Sequence, residues 1–413
     1  MSYNLLRNAR VFFTTNVNQD TGALLTTGFT AVNTQEIQVL DGFSFSQTNT
    51  SETITLNESG ATPVRGQRQF NTALNPVDFS FSTYIRPAES SNASGYIGNV
   101  TAEERHLWNA MFSTTAIVTT NNAGTGGAWT ETSPTPFGTS TAALTSTGYA
   151  TVSLANSQVH QLLKFGLIIN FDNTSFAIEN CTLDTATIDF GLDAIAMIAW
   201  AGKATKMSQT ATAVTITDST NAFSGGLTGN FNPKITYAPY IANKLSTMTL
   251  KSGIKGTAGP TTYTLALTGG SITFNNNVSY LTPANLGIVN QPCTYFTGTR
   301  SITGTLNAYL RGGTGYSAEL LKDMLTKSTS DVDPEHQIVM SIGGATNGTR
   351  VDIDLPAVVL SIPSVATQQV MSTTINFTAQ GVANPDTTGA TFDISGKNEA
   401  TIKYYTPTLS TVY

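Results

Sequence analysis

Residues 77–86 alternate with a period of two. Val77, Phe79, Phe81, Thr83 and Ile85 share one face, and Asp78, Ser80, Ser82, Tyr84 and Arg86 share the other. One apolar face and one polar face define a half-buried antiparallel strand. Pro87 closes the run, because it has no N–H to give to a ladder. Residues 301–311 repeat the phase. Ile302, Leu306, Ala308 and Leu310 are apolar; Thr303, Thr305, Asn307, Tyr309 and Arg311 lie opposite. Both runs end in Tyr, an aliphatic residue and Arg. Both are followed by Gly-Tyr, at 95–96 and 315–316, and then by a short helical pattern. Gly304, in place of a large side chain, is the main departure.

The helical patterns also match. The first spans 102–112, with Thr101 and Glu104 placed as a capping box. Leu107, Trp108, Met111 and Phe112 form its apolar stripe. The second starts near Ser317 with a stripe of Leu320, Leu321, Met324 and Leu325. One stripe per helix predicts one helix laid across one sheet. Val11-Phe12-Phe13 starts an N-terminal strand. Residues 36–40 form another, turned by Asp41-Gly42 into 43–46. Segments 176–202 and 351–381 each read as strand, turn, short strand, break and a long final strand. Similarity at so long a spacing marks a duplicated domain. The expected organisation is an N-terminal arm (1–32), a first copy (33–205) with a long loop at 121–147, a connector (206–244), a second copy (245–383) and a C-terminal extension (384–413). The fold class is mainly β: two related β-sandwich or barrel-like domains, each with a short flanking α-helix.

Composition turns this picture toward assembly. The chain has 413 residues, enough for two cores. Charged residues are 11%, against roughly 25% in ordinary soluble domains. Thr takes their place, at roughly one residue in six, and suits strands through its branched Cβ. A polar surface with few charges suits contact with protein. The bland alternative is an extracellular or simply Thr-rich all-β protein. The net charge is -6, and no run of Lys or Arg makes a basic patch, so tight nucleic-acid binding is not expected. The N-terminus lacks the apolar run of a signal peptide, and synthesis in a cytoplasm is the natural reading. The longest apolar stretch, 194–201, is far short of a membrane span.

Catalytic patterns are not found in the sequence, and neither an enzyme nor a cofactor or metal is expected. His106, His160 and His336 have no Ser, Cys or carboxylate neighbours in a motif and read as surface or interface residues. Cys181 and Cys293 have no metal spacing; a buried thiol is the default for Cys181. Asp184, Asp189 and Asp193 read as strand-face or turn carboxylates before they read as a cation site. Asp331, Asp333 and Glu335 fit a turn or helix start as well as calcium. Asp352 and Asp354 share a strand face and need solvent or partners to coexist.

The opening 3–13, the runs 37–45 and 63–68, and the stretch 75–87 resemble tail tube proteins of tailed bacteriophages. The resemblance is one of organisation over most of the chain. It implies β-sandwich or barrel-like tube domains whose hairpin strands close into a barrel around a DNA channel, six domains to a ring, with rings stacked through loops. A few such proteins fuse two domains, which implies a trimeric ring of pseudo-sixfold symmetry. It implies a virion location, self-association, and contacts with sheath, baseplate and tail terminator proteins, with DNA passing and not specifically bound. The candidate assembly residues are Phe12, Phe13, Phe79, Phe81, Tyr84, Arg86, Tyr309 and Arg311, with Gly124 and Gly138 bracketing a loop expected to contact a neighbouring ring. The arm and the C-terminal extension are expected to share that contact. A pilus, surface-layer or capsid-decorating subunit is the alternative.

Overall fold

The computed structural model describes residues 9–25, 29, 33–54, 67–91, 97–102, 104–112, 129–131, 149–153, 161–171, 174–210, 235–237, 240–252, 261–330, 336–343, 349–366, 370–380 and 399–405. Gly124 and Gly138 lie outside them. Strands dominate. The first part of the chain forms β1 (Arg10–Thr14), β2 (Thr34–Ile37), β3 (Ser44–Ile54), β4 (Arg68–Tyr84), β5 (Pro87–Ser91), β6 (Ile97–Ala102), helix α1 (Arg105–Phe112), β7 (Trp129–Glu131), β8 (Tyr149–Ser153), β9 (Phe165–Asn170), β10 (Ser175–Asp189), β11 (Met197–Ala204) and β12 (Lys206–Thr210). The second part forms β13 (Ile235–Tyr237), β14 (Thr247–Ser252), β15 (Thr261–Thr264), β16 (Leu267–Asn275), β17 (Val278–Leu281), β18 (Thr294–Thr297), β19 (Ser301–Tyr309), helix α2 (Ser317–Ser330), β20 (His336–Gly343), β21 (Arg350–Leu360), β22 (Ser364–Ala366), β23 (Ser372–Ala379) and β24 (Thr401–Tyr405).

One wide antiparallel sheet runs β3–β4–β11–β10–β16–β19–β23–β22. It crosses from the first part of the chain to the second at β10–β16, where Thr185–Asp189 pairs with Asn275–Ser271. A second layer packs on its apolar face. In the first part β1 pairs with β2 and β9, β9 with β10, and β10 with β12. In the second part β14 pairs with β15 and β20, β20 with β21, and β21 with β24. Long strands pass between the layers: the start of β10 lies in the second layer and its end in the wide sheet, with an irregularity between Leu183 and Thr185.

Period-two patterning decides which face is buried. Val77, Phe79 and Phe81 of β4 face the core, as do Ile198 and Trp200 of β11, Ile272 and Phe274 of β16, and Ile375 and Phe377 of β23. Phe165 of β9 meets them from the second layer, edge-on to Phe79 at 6.2 Å and stacked on Phe13 of β1 at 4.7 Å. The Asp41-Gly42 turn forms as expected, with Gly42 at φ 96°, where a side chain would be strained.

Helix α1 departs from the expected single stripe: all eight of its residues are buried. Trp108 lies edge-on to Trp200 at 4.9 Å and to Phe274 at 5.5 Å, and its indole N–H donates to the Tyr404 hydroxyl at 2.7 Å. Phe13 covers the helix from the other side, 5.8 Å from the His106 ring. A helix packed from two directions keeps no solvated face, so His106 is buried and not at the surface; His336, at the head of β20, is buried too. Helix α2 starts at Ser317, as the pattern predicts, and buries Leu320 and Met324 while Leu325 stays exposed. Ser252 Oγ donates to Asp323 at 2.9 Å and accepts from Lys327 Nζ at 3.0 Å, fastening α2 to β14.

Gly304 has a local explanation. It pairs with Phe377 of β23, and a Cβ added to it would stand 2.3 Å from that ring. In the first part the same pairing is reversed: Phe79 of β4 faces Gly202 of β11, where an added Cβ would stand 2.4 Å from the ring. Each strand pair fills the space with one phenyl ring, supplied from opposite members. Gly304→Phe is expected to overpack and destabilise by about 1–3 kcal/mol or more, and Phe377→Gly to open a cavity costing about 3–5 kcal/mol. The double exchange should recover much of the sum, read from urea unfolding midpoints of the three variants.

Candidate assembly surface

The wide sheet has an open face rich in small hydroxyl side chains, interrupted on β11 by Met197, Ala199 and Ala201. It carries Ser80 and Ser82 on β4, Thr185 and Thr187 on β10, Ser271 and Thr273 on β16, Thr303 and Thr305 on β19, and Thr374, Asn376 and Thr378 on β23, none of them buried. Their hydroxyls bond across the strands: Ser44 with Ser80 at 2.9 Å, Thr187 with Thr273 at 3.1 Å, Ser271 with Thr305 at 3.3 Å, and Thr374 to Asn307 at 2.9 Å. Such pairs satisfy polar groups without fixed charge. Charges are sparse here. Asp78 stands opposite Lys203 in the β4–β11 register, and Asp189 ends β10. The depression on this face is shallow, lined by Ser44, Ser46, Asp78, Ser80, Asp184 and Lys203.

The sheet has two edges. Among the described residues β3 pairs only with β4, and β22 only with β23. An open edge of this kind is a template for another strand. The sheet also has two ends in the strand direction. At one end Ile54, Phe70, Leu281, Leu286, Ile288, Val289 and Phe296 are exposed, Leu286 completely. At the other, Leu192, Ile195, Tyr240, Leu245, Val370 and Met371 are exposed. Large apolar groups gathered at opposite ends suit contact with protein.

The residues singled out in the sequence divide between these regions. Phe12, Phe13, Phe79 and Phe81 are buried in the core. Tyr84 is half-buried at the end of β4, edge-on to Tyr240 at 5.2 Å. Arg86 lies over the same Tyr240 ring at 4.5 Å and donates to Gln38 Oε1 at 2.8 Å. Tyr309 is exposed on the open face. Arg311 lies 3.9 Å over the Tyr316 ring, and its backbone N–H donates to Ser317 Oγ at 2.7 Å. Each Arg therefore stacks on a tyrosine beside the sheet end. Sequence reasoning missed the apolar loop at 286–289, whose signal was a Leu, Ile and Val between turn residues.

The acidic residues do not converge. Asp184 accepts the Val278 N–H at 2.7 Å, Asp193 pairs with Lys244 at 3.4 Å, and Asp189 stands on the open face. Asp352 is paired with Arg350 at 3.2 Å, and Asp354 accepts from Gln337 at 2.8 Å, both in the second layer. No group of three metal-ligating side chains occurs among the described residues. Cys181 is buried, and burial pushes its thiol pKa up.

A face rich in hydroxyls, two edges unpaired among the described residues and two apolar ends suit a protein that contacts other chains. No family model matches the sequence. It is 31% identical over 390 residues to "Tail tube protein pb6" of Escherichia phage T5, covering 92% of this chain and 73% of that one. The chain belongs to the phage tail tube protein family and is a structural subunit of a phage tail tube.

One buried group gives a pH signature. Burial, and secondarily the charge of Arg105, hold His106 well below the usual 6.5. The unfolded chain therefore takes up this proton before the folded one. Stability is full above pH 6.5 and falls as pH drops toward the folded value, by up to about 1.4 kcal/mol per pH unit. His106→Leu should flatten unfolding free energy against pH between about 6.5 and 5, measured by urea titration.

Proposed function

We propose that the chain polymerises as stacked rings of three around a channel through which DNA passes, with the hydroxyl face of the wide sheet lining that channel. The observation that carries this reading is the repeated pairing order. β1, β2, β3, β4, β9, β10, β11 and β12 have the partners, in the same sequence order, that β14, β15, β16, β19, β20, β21–β22, β23 and β24 have. A helix stands between the fourth and fifth strands of each set. This supports two copies of one tube domain, with the first reaching back to β1 and the second forward to β24. A ring needing six domains is then filled by three chains.

The channel reading rests on chemistry. A passing polyanion binds through phosphate contacts to Lys and Arg. The open face offers hydroxyls and amides, with Lys203 facing Asp78. Among the described residues nothing there would hold a phosphate backbone strongly, and small hydroxyls keep the wall wet. Assembly takes place in the bacterial host cytoplasm, and the finished tube meets baseplate, terminator and, in a contractile tail, sheath proteins. The arm, the 121–147 loop and the C-terminal extension add contacts between rings.

The test of stoichiometry is the mass of detached rings, with the rotational symmetry of end-on image averages. Three chains per ring is the expected result; six chains in true sixfold symmetry overturn it. Stacking is tested separately. The apolar ends of the sheet meet head to tail, an arrangement that does not close on itself and so extends into a filament. Leu286→Ser with Ile288→Ser should leave rings intact and shorten tubes severalfold in negative-stain images. Tubes of unchanged length would remove this loop from the contact.

A further inference from the structure

We infer that the ring closes by antiparallel pairing of β3 of one chain with β22 of a second copy, in the register Ser44–Ala366, Phe45–Val365 and Ser46–Ser364. The inference rests on the ring reading above and adds the edges and their alignment. Its template is inside the chain. β10 joins β16 with Asp189 opposite Ser271, Ile188 opposite Ile272 and Thr187 opposite Thr273. What must be found is the counterpart of each of these strands at the two open edges.

The registers supply it. On β4, Tyr84 pairs with Met197 and Val77 with Ala204. On β19, Tyr309 pairs with Ser372 and Ile302 with Ala379. Both ladders are continuous over the same length, so β11 and β23 correspond residue for residue. Outward from β11, Asp189 pairs with Met197 and Thr187 with Ala199. Outward from β23, Ala366 pairs with Ser372 and Ser364 with Thr374. Hence Ser364, Val365 and Ala366 hold the places of Thr187, Ile188 and Asp189. On the other side Ser271 pairs with Thr305 and Thr273 with Thr303, while Ser44 pairs with Ser80 and Ser46 with Asp78. Hence Ser44, Phe45 and Ser46 hold the places of Ser271, Ile272 and Thr273.

The chemistry of the transferred pairs agrees with the template. Ile188 against Ile272 on the core face becomes Val365 against Phe45, an aromatic and β-branched pair of the kind that stabilises antiparallel strands. Both are only half-buried in the single chain, and a neighbour would complete their cover. The places of Thr187 and Thr273 in the register fall to positions 364 and 46, both serine in the sequence. Pro363, just before β22, has no N–H, which ends the ladder where the internal joint continues to Ala186. The occupant of each edge is therefore a second copy of this chain and not a foreign strand.

Cysteine pairs read the register directly, because facing Cβ atoms lie within reach of a disulfide. In a Cys293→Ser background, Ser46→Cys with Ser364→Cys should give covalent trimers when rings are treated with diamide, seen on non-reducing gels. Ser46→Cys with Val365→Cys, shifted by one residue, places the thiols on opposite faces and should leave monomers. Cross-linking of the shifted pair instead, or of neither pair in rings shown intact by mass, overturns the register while leaving the ring reading in place. A parent chain that forms no three-chain rings overturns both.

Discussion

The pairing of β10 with β16 is the interaction on which the rest depends, since it turns two sets of strands into one sheet. The ladder is short, and ladders of this length are marginal alone. What holds it is on either side. Ile188 and Ile272 are buried together on the core face, and Phe274 reaches the Trp108–Trp200 pair. Asn276, one residue past β16, donates to the carbonyls of Met111 and Leu183 at 2.8 and 3.3 Å. Asp184 accepts the Val278 N–H. The joint is thus clamped by the first helix and by the turn that leaves the second part's first wide-sheet strand.

The same sheet separates stability from contact. Its core face accounts for large buried aromatics, each worth roughly 1.5–3 kcal/mol when removed from water. Its open face contributes little to the core, so it is free to be chosen for what it meets. A face rich in Ser, Thr and Asn bonded side to side is hydrated and carries few charges. Most of the large apolar residues that remain exposed sit at the two ends of the strands, while Met197 of β11 and Tyr309 of β19 stand on the open face and Leu325 on α2.

Much of this was legible in sequence wherever structure is set locally. The alternation at 77–86 and 301–311 gave the correct buried faces because period two leaves no choice of side. Ser317 and the Asp41-Gly42 turn were legible for the same reason: cap and turn chemistry acts over a few residues. Contacts between distant segments were not. Val11-Phe12-Phe13 read as part of an arm, yet β1 is held by β9 across 150-odd residues of chain. His106 read as a surface or interface residue because the helix pattern cannot show that Phe13 covers its far side. The buried phenylalanines were placed among the candidate contact residues because alternation tells which face is apolar but not which layer covers it. The β17–β18 hairpin, a ladder of its own where β3–β4 runs on as one, depends on Asn277 at φ 51° and on Asp184 far away in sequence.

The crossed placement of phenylalanine and glycine has a consequence for how such a chain avoids folding wrongly. A polypeptide with two similar strand sets can mispair during synthesis, β4 taking the partner of β19 or the reverse, and such exchanges are a characteristic error of repeated domains. Here the wrong partners are self-rejecting. β4 laid on β23 would set Phe79 against Phe377, two rings in space for one. β19 laid on β11 would set Gly304 against Gly202 and leave a hole. Neither strand needs a charge or a proline to refuse the other; the sorting is done by volume alone. The chain thus keeps its own interior strands from being mistaken for one another.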